Sequence, residues 1–168
     1  MATELYDLTV PVFTKHLTAL SGLLDKARDH AAATDQDAAD LLAHRLIADM
    51  HPLTRQVQMA ADSGKLCVAR LSGLAAPVAE DTETTIDQLQ ARIRLSLDWL
   101  ASVPREAVDG QEDRAVVLTF PSGEMRFNGR DYAVGFATPN FFFHLTTAYA
   151  LLRARGVPIG KRDFFGGI

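Results

Sequence analysis

One cysteine, Cys67, stands in 168 residues. A lone thiol cannot close an internal disulfide, which excludes the small disulfide-stapled secreted domains. Long apolar runs are missing too: none approaches the roughly 20 residues that carry a helix across a bilayer. The N-terminus, MATELYDLTVPVF, has no basic segment leading into an apolar core and so does not read as a secretory signal. Charge of one sign is not concentrated anywhere. With 17 basic against 21 acidic residues, a net charge of −4, and no basic block, the chain lacks the electrostatic footprint of a nucleic-acid or anionic-membrane binder. These absences point to the cytoplasm.

The motifs of the common chemistries are absent as well. GVPIGKR contains Gly-Lys, but a phosphate-binding loop needs four residues between its glycines, a hydroxyl after the lysine and a strand before it. Here the gap is one short, Arg162 follows the lysine, and the preceding element reads as a helix. There is no His-Glu-x-x-His, no Cys-x-x-Cys, and no Ser or Cys nucleophile beside a base. Cys67 falls mid-helix next to an apolar face, where a thiol acts as inert filling.

What is present describes a globular helical chain. Hydrophobic residues make up 48% and charged residues 23%, the balance of an ordinary packed domain, and the length suits one domain spanning residues 1–168. Val10, Phe13, Leu17, Leu20, Leu24 and Ala27 repeat at spacings of three and four, which predicts a first helix over about 8–31 with Pro11 in its first turn. DQDAADLLAHRL suggests a short helical link. A second long helix is expected from Asp49 as N-cap, with Leu53, Val57, Ala60, Gly64, Val68 and Leu71 on its apolar face and Gly73 ending it. The acidic cluster Glu80, Asp81 and Glu83 suits the positive end of the third helix. That helix carries Ile86, Leu89, Ile93, Leu97 and Leu100 and stops before Pro104.

The period then changes to two: AVVLTF, PSG and EMRF read as a β-hairpin, which must lean on the helices to be stable. A last helix is expected from Asp131 to Arg155, with Gly156 as its left-handed cap. Pro139 should kink or divide it, and Gly135 leaves room for the proline ring. The fold class that follows is all-α, a four-helix bundle with a small β-hairpin between helices three and four.

Two polar features interrupt these apolar faces. Asn140 and His144 are one turn apart on the last helix and share a side, with Phe136, Phe143, Thr147 and Leu151 around them. Either His144 is a core histidine satisfied by a hydroxyl or carbonyl, or it belongs to a ligand pocket that also takes in Asn140 and Thr147. His51 begins a row with Arg55, Gln58 and Asp62. Either His51 faces His144 across the bundle, or the row is a solvated edge. His16, His30 and His44 have no partners at ligand spacing and read as surface residues. Phe141, Phe142 and Phe143 cannot all face one core, so one ring needs cover from the hairpin, the tail or another subunit.

The stretches LYDLTVPVF, RLIADMHPLTRQVQ, AEDTETTIDQLQARI, FNGRDY and PNFFFHLTTAYALLRARGVPIGKRDF resemble the DinB/YfiT-like four-helix-bundle superfamily, and within it an uncharacterised domain-of-unknown-function family. The likeness covers nearly the whole chain. It implies a DinB-like bundle and a homodimer formed through the helices. In better-known relatives a histidine of the second helix and a His-x-x-x-His pair of the last helix hold a divalent metal, and several are metal-dependent transferases. The resemblance places His51 and His144 as two of these metal ligands, zinc or nickel being the ions implied, with Asn140 where the third imidazole would stand. An amide oxygen is a poor ligand for such ions, so the resemblance implies a degenerate pocket. Two functions follow as expectations: a small-molecule-binding dimer, or a metal-dependent transferase or hydrolase using His51 and His144, with His144 as acid or base.

Overall fold

The computed structural model describes residues 4–167. Helix α1 (Leu5–Thr34) starts one turn earlier than expected, and Pro11 therefore lies inside it rather than in its first turn. Because Pro11 is exposed, the carbonyl it leaves unpaired lies on the solvent side, where the loss is tolerated. The link forms α2 (Ala38–Ala43), its first turn capped by the Asp37 carboxylate. Asp49 is not the cap of the next helix. α3 (Leu53–Ser72) begins after Pro52, with His44 O accepting from Leu53 N at 2.9 Å, and it ends at Gly73 in the left-handed conformation. α4 (Ile86–Ser102) opens with a reciprocal cap between Thr85 and Gln88, the pairing that supplies two orphan backbone donors.

The hairpin forms as read. β1 (Val116–Phe120) pairs antiparallel with β2 (Gly123–Phe127), Val116 opposite Phe127 and Phe120 opposite Gly123. The last long helix comes in two parts: a π-helical segment over Asp131–Ala137 leads into α5 (Thr138–Ala154). Pro139 offers no N–H, and the chain absorbs the defect in the widened segment just before it, where Thr138 N bonds Ala133 O five residues back. A side chain at Gly135 would meet nothing within 4 Å, so Gly135 is not what admits the proline. Gly156 caps the end with φ 83°, and a single turn, α6 (Lys161–Phe164), closes the described chain. The architecture is a helical bundle with a small antiparallel hairpin.

The core is the set of stripes already visible in the sequence. Phe13, Leu17, Leu20 and Leu24 of α1 meet Val57, Ala60 and Val68 of α3, Leu89 and Ile93 of α4 and Phe141, Leu145 and Ala148 of α5. Gly64 lets α3 press against α1, since an added Cβ would sit 3.2 Å from the Phe13 side chain. Among the described residues no helix is long and apolar enough to cross a membrane.

One buried cation ties three segments together. The Arg92 side chain of α4 is 1% exposed. It donates to Asp62 of α3 at 2.5 Å, to Asp81 at 2.9 Å, to Glu83 at 2.8 Å and to the Glu80 carbonyl at 3.1 Å. Lys65, also buried, holds the second Asp62 oxygen at 3.0 Å, Gln58 donates to Glu83 at 2.7 Å, and Arg55 pairs with Asp81. The acidic cluster therefore serves Arg92 rather than the α4 dipole, and it straps the loop between α3 and α4 onto both helices.

Removing one side of such a cluster strands buried charge. Arg92→Met should lower stability by about 3 kcal/mol, read as a shifted midpoint in chemical denaturation. Burial raises the Glu83 carboxyl, but the Arg92 and Gln58 hydrogen bonds outweigh it and hold it below its ordinary 4.5. The stability it contributes is complete above that value and is lost as pH falls through the lower folded value. Glu83→Gln should accordingly flatten the acid limb of the stability–pH curve.

Candidate functional site

A cleft of about 430 Å³ opens between α3, the π segment with α5, and β1. α3 and the last helix run antiparallel along it: Arg70 lies level with Tyr132, Ser63 with Asn140, and Gln56 with His144. Met59, Leu66, Val117, Leu118 and Phe136 give it apolar walls.

At one end, hydrogen bonds fix which atoms face the cleft. Gln56, 2% exposed, donates its amide N–H to the His51 carbonyl at 3.2 Å, so its oxygen must face His144 Nδ1, 2.9 Å away. An amide oxygen only accepts, which puts the imidazole proton on Nδ1 and leaves the lone pair on Nε2. Among the described residues Nε2 has no hydrogen-bond partner. Ser63 donates to the Met59 carbonyl at 2.6 Å, so its oxygen accepts from Asn140 Nδ2 at 2.8 Å, and Asn140 Oδ1 has no partner among the described residues. The two residues thus carry two unused acceptors on neighbouring turns. Burial, then the nearby charges of His51 and Arg55, push the His144 pKa down to about 4, so the ring is neutral at physiological pH.

The other expected site residues fall differently. His51 is exposed in the loop before α3 and does not line the cleft, although its charge reaches His144. Its row is not a solvated edge: Gln58 is 3% exposed, and Arg55 and Asp62 are drawn into the Arg92 cluster while also lining the cleft. The Thr147 hydroxyl is spent on the Phe143 carbonyl at 2.7 Å and lies outside the cleft. Cys67 is fully buried with its thiol pushed up to about 12 by desolvation, as inert filling should be. His16 is buried rather than superficial, with Phe142 edge-on against it at 4.8 Å. Phe141 is in the core, Phe142 is partly covered by His16, and Phe143 remains 56% exposed.

Gln56, Ser63, Arg70 and Tyr132 were not singled out as site residues by spacing. Gln56 carries a signal in hindsight, being a polar residue between Leu53 and Val57 on a buried face; Arg70 carries none. Among the described residues no group of three His, Cys, Asp or Glu side chains could hold a metal ion. One imidazole lone pair and one amide oxygen do not fit a zinc or nickel site.

Bundle, hairpin and cleft together define a DinB-like protein. A crystal structure of a DinB family member protein from Shewanella denitrificans superposes with a TM-score of 0.89 at 39% identity, over 98% of this chain and 93% of that one. Residues 5–165 match the family described as domain of unknown function DUF1993, and the chain belongs to that family. A search of curated proteins finds no match.

The His144 ring carbons, followed by NMR, should titrate with a midpoint near 4 rather than 6.5. The unfolded chain then binds a proton that the folded chain refuses between those values, so this residue makes stability fall as pH drops from 6.5 toward 4. A midpoint above 6 would mean that the ring is not held as described.

Proposed function

We infer that this single-domain bundle binds a small molecule in a degenerate metal-site pocket built on Asn140 and His144, with His51 at its margin, and that it works as a homodimer in the cytoplasm. The observation that carries the reading is the Gln56–His144 hydrogen bond. It spends the imidazole proton internally and leaves a neutral Nε2 lone pair at the end of the cleft where Met59 and Phe136 supply apolar wall, beside the Asn140 oxygen. Such a pair accepts hydrogen bonds from a ligand hydroxyl, amide or ammonium group, and a ring with a pKa near 4 remains an acceptor throughout the physiological range. A metal-dependent transferase or hydrolase using His51 and His144 is the second reading; it is supported by the resemblance to DinB-like relatives and not by the position of His51, which is exposed and outside the cleft.

The dimer rests on Phe143, an aromatic ring left 56% exposed beside the site, which an apolar interface would cover.

Asn140→His should raise zinc or nickel affinity by restoring a second imidazole one turn from His144. Metal titration of the variant against the parent protein reads this directly. Tight one-to-one zinc binding by the parent would favour the enzyme reading, and no gain in the variant would mean that side chains at 140 and 144 do not converge on one ion. Sedimentation at micromolar concentration should give twice 18.3 kDa, and Phe143→Asp should shift it to the monomer.

A further inference from the structure

At the far end of the cleft the chemistry reverses from acceptors to donors. Tyr132 is 1% exposed, and its oxygen accepts from Arg70 Nη1 at 2.7 Å. A phenol that accepts there still has its own proton to give, and that proton meets no acceptor among the described residues. Arg70 has no carboxylate partner among them either. The other charges lining the cleft are already engaged: Arg55 with Asp81, and Asp62 with both Lys65 and Arg92. In a chain of net charge −4, Arg70 is thus the unneutralised charge of the cleft wall, and the Tyr132 contact sets its guanidinium in place. Val117 and Phe120 stand 42% and 41% exposed on the same wall, apolar surface that a ligand would cover.

We propose that Arg70 and Tyr132 form an anion subsite taking the carboxylate of an elongated, mainly apolar acid whose body lies along Leu66, Phe136 and Val117. A single planar guanidinium with one adjacent hydroxyl matches a monoanionic carboxylate in both charge and fork geometry. A phosphate dianion would need a second free cation, and Arg55 is not free. Arg70 and Ser63 are seven residues apart on α3, about 10 Å at 1.5 Å per residue. A chain anchored at Arg70 therefore reaches the Asn140 oxygen, and a hydroxyl or amide placed there would complete it. This assignment rests on the cleft being the ligand site proposed above.

Octanoate and octan-1-ol, titrated into isotope-labelled protein, test it. Affinity is read from the Arg70 Nε–H and Asn140 side-chain resonances. Octanoate should move the Arg70 signal and bind roughly tenfold tighter than the alcohol, the difference expected of a charge-assisted pair. Arg70→Gln should bring octanoate down to the level of the alcohol. Tyr132→Phe should weaken octanoate alone by about threefold, for the loss of one neutral donor. Equal binding of acid and alcohol by the parent protein, or undiminished octanoate binding by Arg70→Gln, overturns the carboxylate subsite while leaving the cleft as a ligand site. If neither compound moves the Arg70 or Asn140 signals, both ideas fall.

Discussion

The Arg92 guanidinium is the point through which the bundle is tied. Desolvating a cation costs several kcal/mol even after relaxation, and here Asp62, Asp81, Glu83 and a backbone carbonyl offset that cost from three directions. Because those acceptors belong to α3 and to the loop before α4, their convergence is possible only when both helices and the loop are in register. The cluster contributes less as attraction than as a demand for one arrangement. It also orders the cleft: Arg55 and Asp62, which line it, are neutralised by the same network.

A second constraint acts on the opposite wall. Pro139 cannot donate to the carbonyl four residues back, and the widened segment over Asp131–Ala137 takes up the resulting offset. The helix beyond it is regular, so Asn140 and His144 sit one turn apart and meet Ser63 and Gln56 of α3. The segment before it presents Tyr132 to Arg70. A proline that would be a defect elsewhere thus lies between the two chemically distinct ends of one cleft. Local irregularities of this kind recur where side chains must be aimed.

The helices, the hairpin and the stop at Gly73 were legible because apolar periodicity and turn chemistry are local signals, strong over Phe13 to Ala27 and over Val116 to Phe127. Helix starts were less so. Asp49 has the chemistry of a cap, yet the chain stays in a loop until Pro52, since the pairing of His44 with Leu53 is a tertiary decision. The candidate site's geometry was half legible. Asn140 and His144 stood out as polar residues on an apolar stripe, but Gln56, which fixes the tautomer, and Arg92, which gathers the acids, act through contacts 88 and as many as 30 residues away in sequence. Spacing along one helix cannot report such partners. The acidic cluster misled for the same reason: a helix dipole is visible locally and a buried guanidinium is not.

The lone cysteine has a use that follows from its burial. Cys67 sits in the C-terminal half of α3, fully enclosed, with a thiol that stays protonated. A thiol-reactive dye in solution can label it only during moments when α3 parts from its neighbours. The rate of labelling under native conditions therefore counts openings of the helix that carries one wall of the cleft. The protein holds its own gauge of breathing at that wall, built in without any engineered probe, and a ligand that seals the cleft would slow it.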